Sequence, residues 1–375
     1  MAGSSYGTVF RITTWGESHG AGVGVVIDGC PAGLPLSEED IQKYLNRRKP
    51  GQSKFTTQRK ESDQAEILSG VFEGRTTGTP ISILVRNQDQ KSRDYSNIMN
   101  TYRPGHADYT FDAKYGFRDY RGGGRSSGRE TIGRVAAGAV ACKILESLGI
   151  QVMAYTKSIG PVSIPEQDYD YSVITDNTLY MPNNQYAEKA SAYLEECIRS
   201  QDSSGGIIEC RVDHMPAGIG ETVFEKLDAN LAKAMMSIGA VKGFEIGDGF
   251  AATKACGSEN NDEFRMDGDK IVKETNHAGG VLGGISDGSD VIFRAAFKPT
   301  PSIAKSQETV TKDGENIDLV IHGRHDPVVV PRAVVVVESM AAITAMDMLL
   351  MSMTSRLDLI QIFFQVENVD DSPEQ

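Results

Sequence analysis

The sequence predicts an α+β fold, a layered sandwich of sheets and helices forming one large domain over residues 1–375. Three observations carry that expectation. Stretches of strand period and stretches of helical period mix without a regular strand–helix–strand rhythm, which favours antiparallel pairing over a doubly wound sheet. The 375 residues are 39% hydrophobic and 24% charged, enough to bury a large core. The most apolar segment, residues 333–353, is interrupted by Glu338 and Asp347, so it reads as a buried element rather than a membrane span.

The elements follow in order. FRITTWG (10–16) and GVGVVIDG (22–29) read as strands joined by the loop GESHG. SEEDIQKYLNRRK (37–49) reads as a helix, with Ser37 as cap, acids in its first turn and bases in its last. TPISILVRN (79–87) is a strand. Residues 89–128 form a long polar, glycine-rich loop, a feature usually functional or disordered. An amphipathic helix follows over 129–149, another helix over 184–201 and a strand over 205–216. A helix over 221–240 and a strand over 241–250 precede a mobile polar insertion at 257–270. A strand at 290–303 runs into a proline loop, IDLVI (317–321) is a short strand, and the acidic tail 366–375 is expected to fray.

The net charge is −13, which argues against nucleic acid as a partner. The charge is uneven. Residues 47–134 carry 17 Lys/Arg against 10 Asp/Glu, a net of +7, and the remainder nets −20. A basic island in an acidic chain suits a small anionic ligand. The N-terminus has no basic region followed by an apolar run, and five scattered cysteines give no disulfide framework or metal spacing. The expectation is a reduced, cytoplasmic protein that needs no membrane and no metal.

The chemistry gathers in loops. YRGGGRSSGRETIGR places glycines, Arg125, Ser126, Ser127 and Arg129 ahead of a helix, an arrangement that cradles anions through backbone N–H groups and arginine forks. It lacks the G-K-[ST] of a nucleotide-binding loop. YRPGHAD supplies Arg103 and His106, FKPTPS supplies Lys298, Thr300 and Ser302, and HGRHDP supplies His322, Arg324, His325 and Asp326. NRRKPGQSKFTTQRK adds Arg47, Arg48, Lys54 and Arg59. Histidines in separate loops, each near charged partners, suit acid–base work near neutral pH.

Six segments in order, GESHG (16–20), RPGHAD (103–108), GGGRSSGRET (122–131), NHAGGVLGGISDG (276–288), FKPTPSI (297–303) and GRHDP (323–327), resemble the chorismate synthase family. The resemblance implies a helix–sheet sandwich, usually a homotetramer, that takes 5-enolpyruvylshikimate 3-phosphate to chorismate by 1,4-elimination of phosphate. It implies a requirement for reduced FMN without net redox change, with NADPH as an indirect reductant through an external flavin reductase. His19 matches the histidine that protonates the departing phosphate, His106 the one beside the flavin, and Asp326 the acid near flavin N5; Ser18 and Ser127 match proton relays. For FMN the matching positions are Arg125, Ser126, Ser127, Gly239, Ala240, Gly283, Lys298, Pro299, Thr300, Pro301, Ser302 and Arg324. For the substrate they are Arg48, Lys54, Arg59, Arg103 and Arg129. Lys54 stands where many members carry arginine, and Gly239 where asparagine is common. The rival readings are a transferase that cradles phosphate in the GGGRSSGR loop, and a module that binds an acidic partner through the basic island.

Overall fold

The computed structural model describes residues 3–56, 61–88, 99–321 and 326–365. Two five-stranded antiparallel sheets enclose two layers of helices. The first sheet contains β1 (Ser5–Tyr6), β2 (Arg11–Gly16), β3 (Gly22–Asp28), β4 (Ala65–Ile67) and, after the small ribbon β5 (Val71–Phe72) and β6 (Arg75–Thr76), β7 (Ile81–Arg86). Its spatial order is β1-β2-β3-β7-β4. Helix α1 (Glu38–Arg48) lies between β3 and β4 in the chain; α2 (Asp108–Tyr115) and α3 (Thr131–Ser147) follow β7.

The second sheet is assembled from the rest of the chain. β8 (Gln151–Ile159) and β9 (Val162–Ser163) lead to α4 (Asn184–Arg199), β10 (Gly206–Asp213), α5 (Leu227–Met236) and β11 (Val241–Ile246). Then come α6 (Gly257–Asn260), the ribbons β12 (Phe264–Asp267)–β13 (Lys270–Lys273) and β14 (Val281–Leu282)–β15 (Ile285–Ser286), and β16 (Val291–Phe297). This sheet runs β11-β16-β10-β8-β9. A last ribbon, β17 (Gln307–Val310)–β18 (Asn316–Leu319), precedes α7 (Val330–Ser352) and α8 (Leu357–Phe363).

Helix α3 covers β2 and β3, α7 covers β8 and β10, and α3 and α7 pack on each other at the centre, flanked by α1 and α5. The crossing is close. A Cβ on Gly138 of α3 would lie 2.5 Å from Ser339 Cα on α7, so this position excludes any side chain. Helix α7 is long and apolar enough to cross a membrane by composition, but it is buried inside the fold. A helix apolar all round belongs in a core. Its two buried carboxylates are satisfied there. Glu338 takes a two-pronged ion pair from Arg47 of α1 (2.6 and 2.9 Å), and Asp347 accepts the N–H groups of Thr8, Val9 and Phe10 at 2.7–2.9 Å. A buried carboxylate is tolerated only when so partnered.

The layered, antiparallel α+β expectation holds, and four details differ. The helix expected to be amphipathic, α3, is buried around nearly its whole circumference, because α1, α7 and the first sheet all pack on it. The helix expected over 221–240 shrinks to Leu227–Met236, since residues 221–226 form a turn in which Val223 takes a positive φ of 63°. The long loop contains α2 and two 3₁₀ turns, 124–126 and 128–130. The polar insertion is built structure, α6 and a ribbon, pinned by Asp262. That carboxylate accepts from Lys273 Nζ, Thr275 Oγ1 and the N–H groups of His277 and Ala278 at 2.7–3.0 Å. The tail 366–375 lies outside the described residues.

Candidate active site

Loops from both sheets and the ends of α1, α3 and α7 meet at a cavity of about 970 Å³. His19 enters from the β2–β3 loop. Its ring lies against Gly122, whose φ is +62°; a Cβ there would press into the imidazole and lie 2.8 Å from Ser18 Oγ. The close approach therefore requires glycine at 122. Ser18 Oγ donates to the Gly122 carbonyl at 3.3 Å and stands 3.1 Å from His19 Nδ1. With its own hydrogen committed to a carbonyl, the serine accepts from Nδ1–H, which puts the lone pair of the neutral ring on Nε2. Gly122→Ala is expected to give a folded protein with activity reduced roughly 10- to 100-fold, the scale of an active-site side chain displaced by about 1 Å. Gly124→Ala is the control for backbone strain, since Gly124 also has a positive φ but a Cβ there meets nothing within 4 Å.

Arg48 and Arg129 share one carboxylate. Asp63, fully buried, takes Arg48 Nη1 at 3.1 Å and Arg129 Nη1 at 2.9 Å. Arg48 also donates to Thr131 Oγ1 (2.9 Å) and the Gly128 carbonyl (2.8 Å), which fixes the turn ahead of α3. Burial pushes the Arg48 guanidinium down to about 10, with Arg332 and Arg129 acting the same way against Asp63. It remains a cation at neutral pH.

Across the cavity, Arg103 forks onto Asp108 (2.8 and 2.9 Å). Burial alone would raise the Asp108 carboxyl, but the bonds from Arg103 hold it below the usual range. His106 Nδ1 lies 3.0 Å from the Pro104 carbonyl and Nε2 2.8 Å from Ser302 Oγ. The carbonyl accepts only, so Nδ1 carries the hydrogen and Nε2 accepts from the serine. Burial, aided by Arg103, lowers His106 to about 4; it is a neutral imidazole at physiological pH. Lys298 donates to the Gly105 carbonyl at 2.7 Å, and a Cβ on Gly105 would lie 2.7 Å from Pro301 Cβ. The RPGHAD and KPTPS loops are thus held together.

Of the residues singled out in the sequence, the cavity brings together Ser18, His19, Arg48, Arg103, His106, Arg125, Ser126, Ser127, Arg129, Gly239, Ala240, Lys298, Thr300, Pro301, Ser302 and Asp326. Several are already engaged. Arg125 donates to Thr14 Oγ1 (2.6 Å) and to the carbonyls of Thr14 and Gly16, so it ties the loop to β2. Ser126 Oγ donates within its own turn to Gly123, and Ser127 Oγ accepts the Arg129 N–H. Three residues lie off the cavity wall. Lys54 is largely exposed and pairs with Glu195 of α4. Gly283 occupies the exposed β14–β15 turn, where its φ of +64° accounts for the glycine. Pro299 faces outward between two lining residues. Arg59, His322, Arg324 and His325 lie outside the described residues.

Sequence reasoning missed Arg332, Arg134, Asp63 and Asn87. Arg332 pairs with Asp326 at 2.6 Å and donates to the Arg48 carbonyl at 3.2 Å. Arg134 bridges Glu130 (3.0 Å) and Ser237 (2.6 Å), and so holds the 237–240 segment at the rim. The signal for Arg332 was present, a lone cation at the start of a run of valines.

The chorismate synthase family model matches residues 10–350. The chain is 67% identical to the chorismate synthase of Agathobacter rectalis over 97% of its own length and 100% of that protein's. It is 54% identical to that of Synechocystis sp. over 93% and 97%. A crystal structure of a chorismate synthase superposes with a TM-score of 0.76 at 33% identity, covering 96% of this chain and 97% of that one. Nothing in these relatives favours a transferase. With matches of this extent over both sheets and every loop of the cavity, the chain belongs to the chorismate synthase family.

Proposed function

We propose that this cavity carries out the shikimate-pathway reaction of the family as a carbon–oxygen lyase: 1,4-elimination of phosphate from 5-enolpyruvylshikimate 3-phosphate to give chorismate. The observation that carries the reading is the meeting of His19 with Arg48, Arg103, Arg129, Lys298 and Arg332 around one cavity. The substrate is a phosphate with two carboxylates, and burying that charge requires matching cations. His19 is the general acid. A phosphate that gains a proton as the C–O bond breaks is the better leaving group. Arg48, Arg103 and Arg129 hold the substrate's anionic groups, with their forks already oriented by Asp63 and Asp108.

Reduced FMN is the proposed cofactor, and the site fits it. The cavity sits at the upper end of the roughly 300–1,000 Å³ of ligand pockets. Thr300 Oγ1 on its wall is buried without a hydrogen-bond partner among the described residues. Gly122 and Gly123 turn the backbone with positive φ so that a flat ligand can come close. The residues proposed to hold the cofactor are Ser126, Ser127, Gly239, Ala240, Lys298, Thr300 and Ser302. A reduced flavin supplies transient electron density to the substrate. His106, neutral and anchored at both nitrogens, presents an uncharged wall, and Asp326, held by Arg332, is the acid–base group. A homotetramer in the cytoplasm, with reducing equivalents from NADPH through a separate reductase, completes the proposal.

The test is anaerobic. Protein, dithionite-reduced FMN and the enolpyruvyl substrate should yield chorismate and phosphate in equal amounts, and none with oxidised FMN. A folded, flavin-binding protein that forms no product would overturn the reading.

His106 also predicts a pH dependence of stability. Its folded value, about 4, lies below the usual 6.5, so between these pH values the unfolded chain binds more protons. Its contribution to stability is therefore lost as pH falls from 6.5 towards 4 and is constant above 6.5. Urea unfolding of the protein and of His106→Asn across that window should show a shallower acid slope for the variant; identical slopes would count against a buried neutral His106.

A further inference from the structure

The loop that carries His19 leaves the first sheet at Gly16 and rejoins it at Gly22. Within the loop, Gly20 N–H donates to the Glu17 carbonyl at 3.1 Å. One turn is a weak mounting for a proton donor, since about 1 Å of error costs roughly a hundredfold in rate. The mounting comes from Asn87, the residue after β7. Because β7 pairs with β3 in the register Gly22↔Arg86, Asn87 stands beside the loop. Its N–H donates to the Ala21 carbonyl at 3.2 Å. Its Nδ2 donates to the carbonyls of Glu17 (2.9 Å) and Gly20 (2.8 Å). Its Oδ1 accepts from Arg129 Nε.

The orientation of this amide is fixed by chemistry. Turned over, it would set its oxygen against two carbonyl oxygens and its NH₂ against a guanidinium, with no bond possible on either side. Beyond Arg129 the connection continues through Asp63 to Arg48. One side chain therefore links the proton-donor loop to the paired arginines.

We infer that Asn87 is a positioning residue for the elimination, fixing the His19 loop to Arg129 so that the proton donor and the anion clamp are held as one unit. This rests on the roles proposed above for His19 and Arg129. Asn87 is not among the residues that line the cavity; it acts through the two carbonyls that bracket Ser18 and His19.

The test is a double-mutant cycle on the full-length, flavin-loaded protein. Asn87→Asp is nearly isosteric. It keeps the acceptor for Arg129 but loses both donors and places a carboxylate against the carbonyls. We expect kcat to fall roughly 10- to 100-fold with KM for the substrate changed less than about 3-fold, and faster amide hydrogen exchange confined to residues 17–21. In a His19→Ala background, Asn87→Asp should lower kcat less than about 2-fold further, because the group it positions is gone. Equal losses in both backgrounds, or unchanged exchange over 17–21, would overturn the inference. If His19→Ala alone turns over normally, the proposed role of His19 fails and the inference falls with it. If His19→Ala is slow and Asn87→Asp is neutral, the positioning inference alone falls. If Asn87→Asp does not fold, Asn87→Ser, which keeps one donor, carries the same cycle; failure of both to fold would assign Asn87 to folding and overturn the inference.

Discussion

His19→Ala is expected to slow turnover about 10²- to 10⁴-fold, the range for removing a general acid, with KM for the substrate and flavin affinity much less affected. The split follows from the geometry. The anionic groups of the substrate are proposed to be held by Arg48, Arg103 and Arg129, whose own partners are Asp63 and Asp108; none of these bonds passes through the imidazole. Loss of His19 therefore removes an interaction made in the transition state and spares ground-state binding. His19→Asn, which keeps a polar group under Gly122 but cannot deliver a proton, should be nearly as slow. Single-turnover measurements with reduced FMN would separate chemistry from binding. A variant with normal chemistry and weakened binding would make His19 a phosphate ligand instead of its acid.

Much of this site was legible because its residues sit in short, glycine-bearing motifs. GESHG, RPGHAD and GGGRSSGRET each bring their histidine or arginines to the cavity, and the basic island of 47–134 supplies Arg48, Arg103, Arg125, Arg129 and Arg134 to its wall. What sequence did not reveal is how those cations are held. Asp63 and Asn87 lie in unremarkable polar surroundings, and only the folding of α1 and β7 against the start of α3 makes one a shared counter-ion and the other a clamp. Arg125 adds a second case. It lines the cavity as its motif suggested, but its bonds to Thr14 and Gly16 depend on β2 passing beside the loop, which no motif announces. The fold shows the same division. Period and turn signals located β2, β3, β7, β10, β11, β16 and β18 but not β8, the nine-residue partner of β10, and whether α3 is half-buried or central depends on what covers its second face, which α7 supplies from about 200 residues away.

Asp63→Asn should destabilise the protein by about 3–5 kcal/mol, the usual loss when one member of a buried ionic cluster is removed. The choice of asparagine isolates the charge. Asp63 has a positive φ of 46°, a conformation asparagine adopts as readily as aspartate and alanine does not, so Asp63→Ala would add backbone strain to the electrostatic loss. With asparagine the amide can still accept from one arginine, but its NH₂ must then face the other, and two guanidiniums drawn together by one carboxylate lose the charge that paired them. Arg48 is the more sensitive member, being buried and already lowered to about 10. Arg129 retains Asn87 and an ion-pair contact with Glu61 at 3.5 Å. The lost stability should show as a lower urea midpoint with an unchanged m-value. Phosphate, which binds where the missing carboxylate leaves uncompensated cations, should recover more stability in the variant than in the unmodified protein. An unchanged midpoint would mean that Gly128, Thr131 and Asn87 hold the two arginines without Asp63, and the pre-orientation of the anion clamp would have to be assigned to those groups instead.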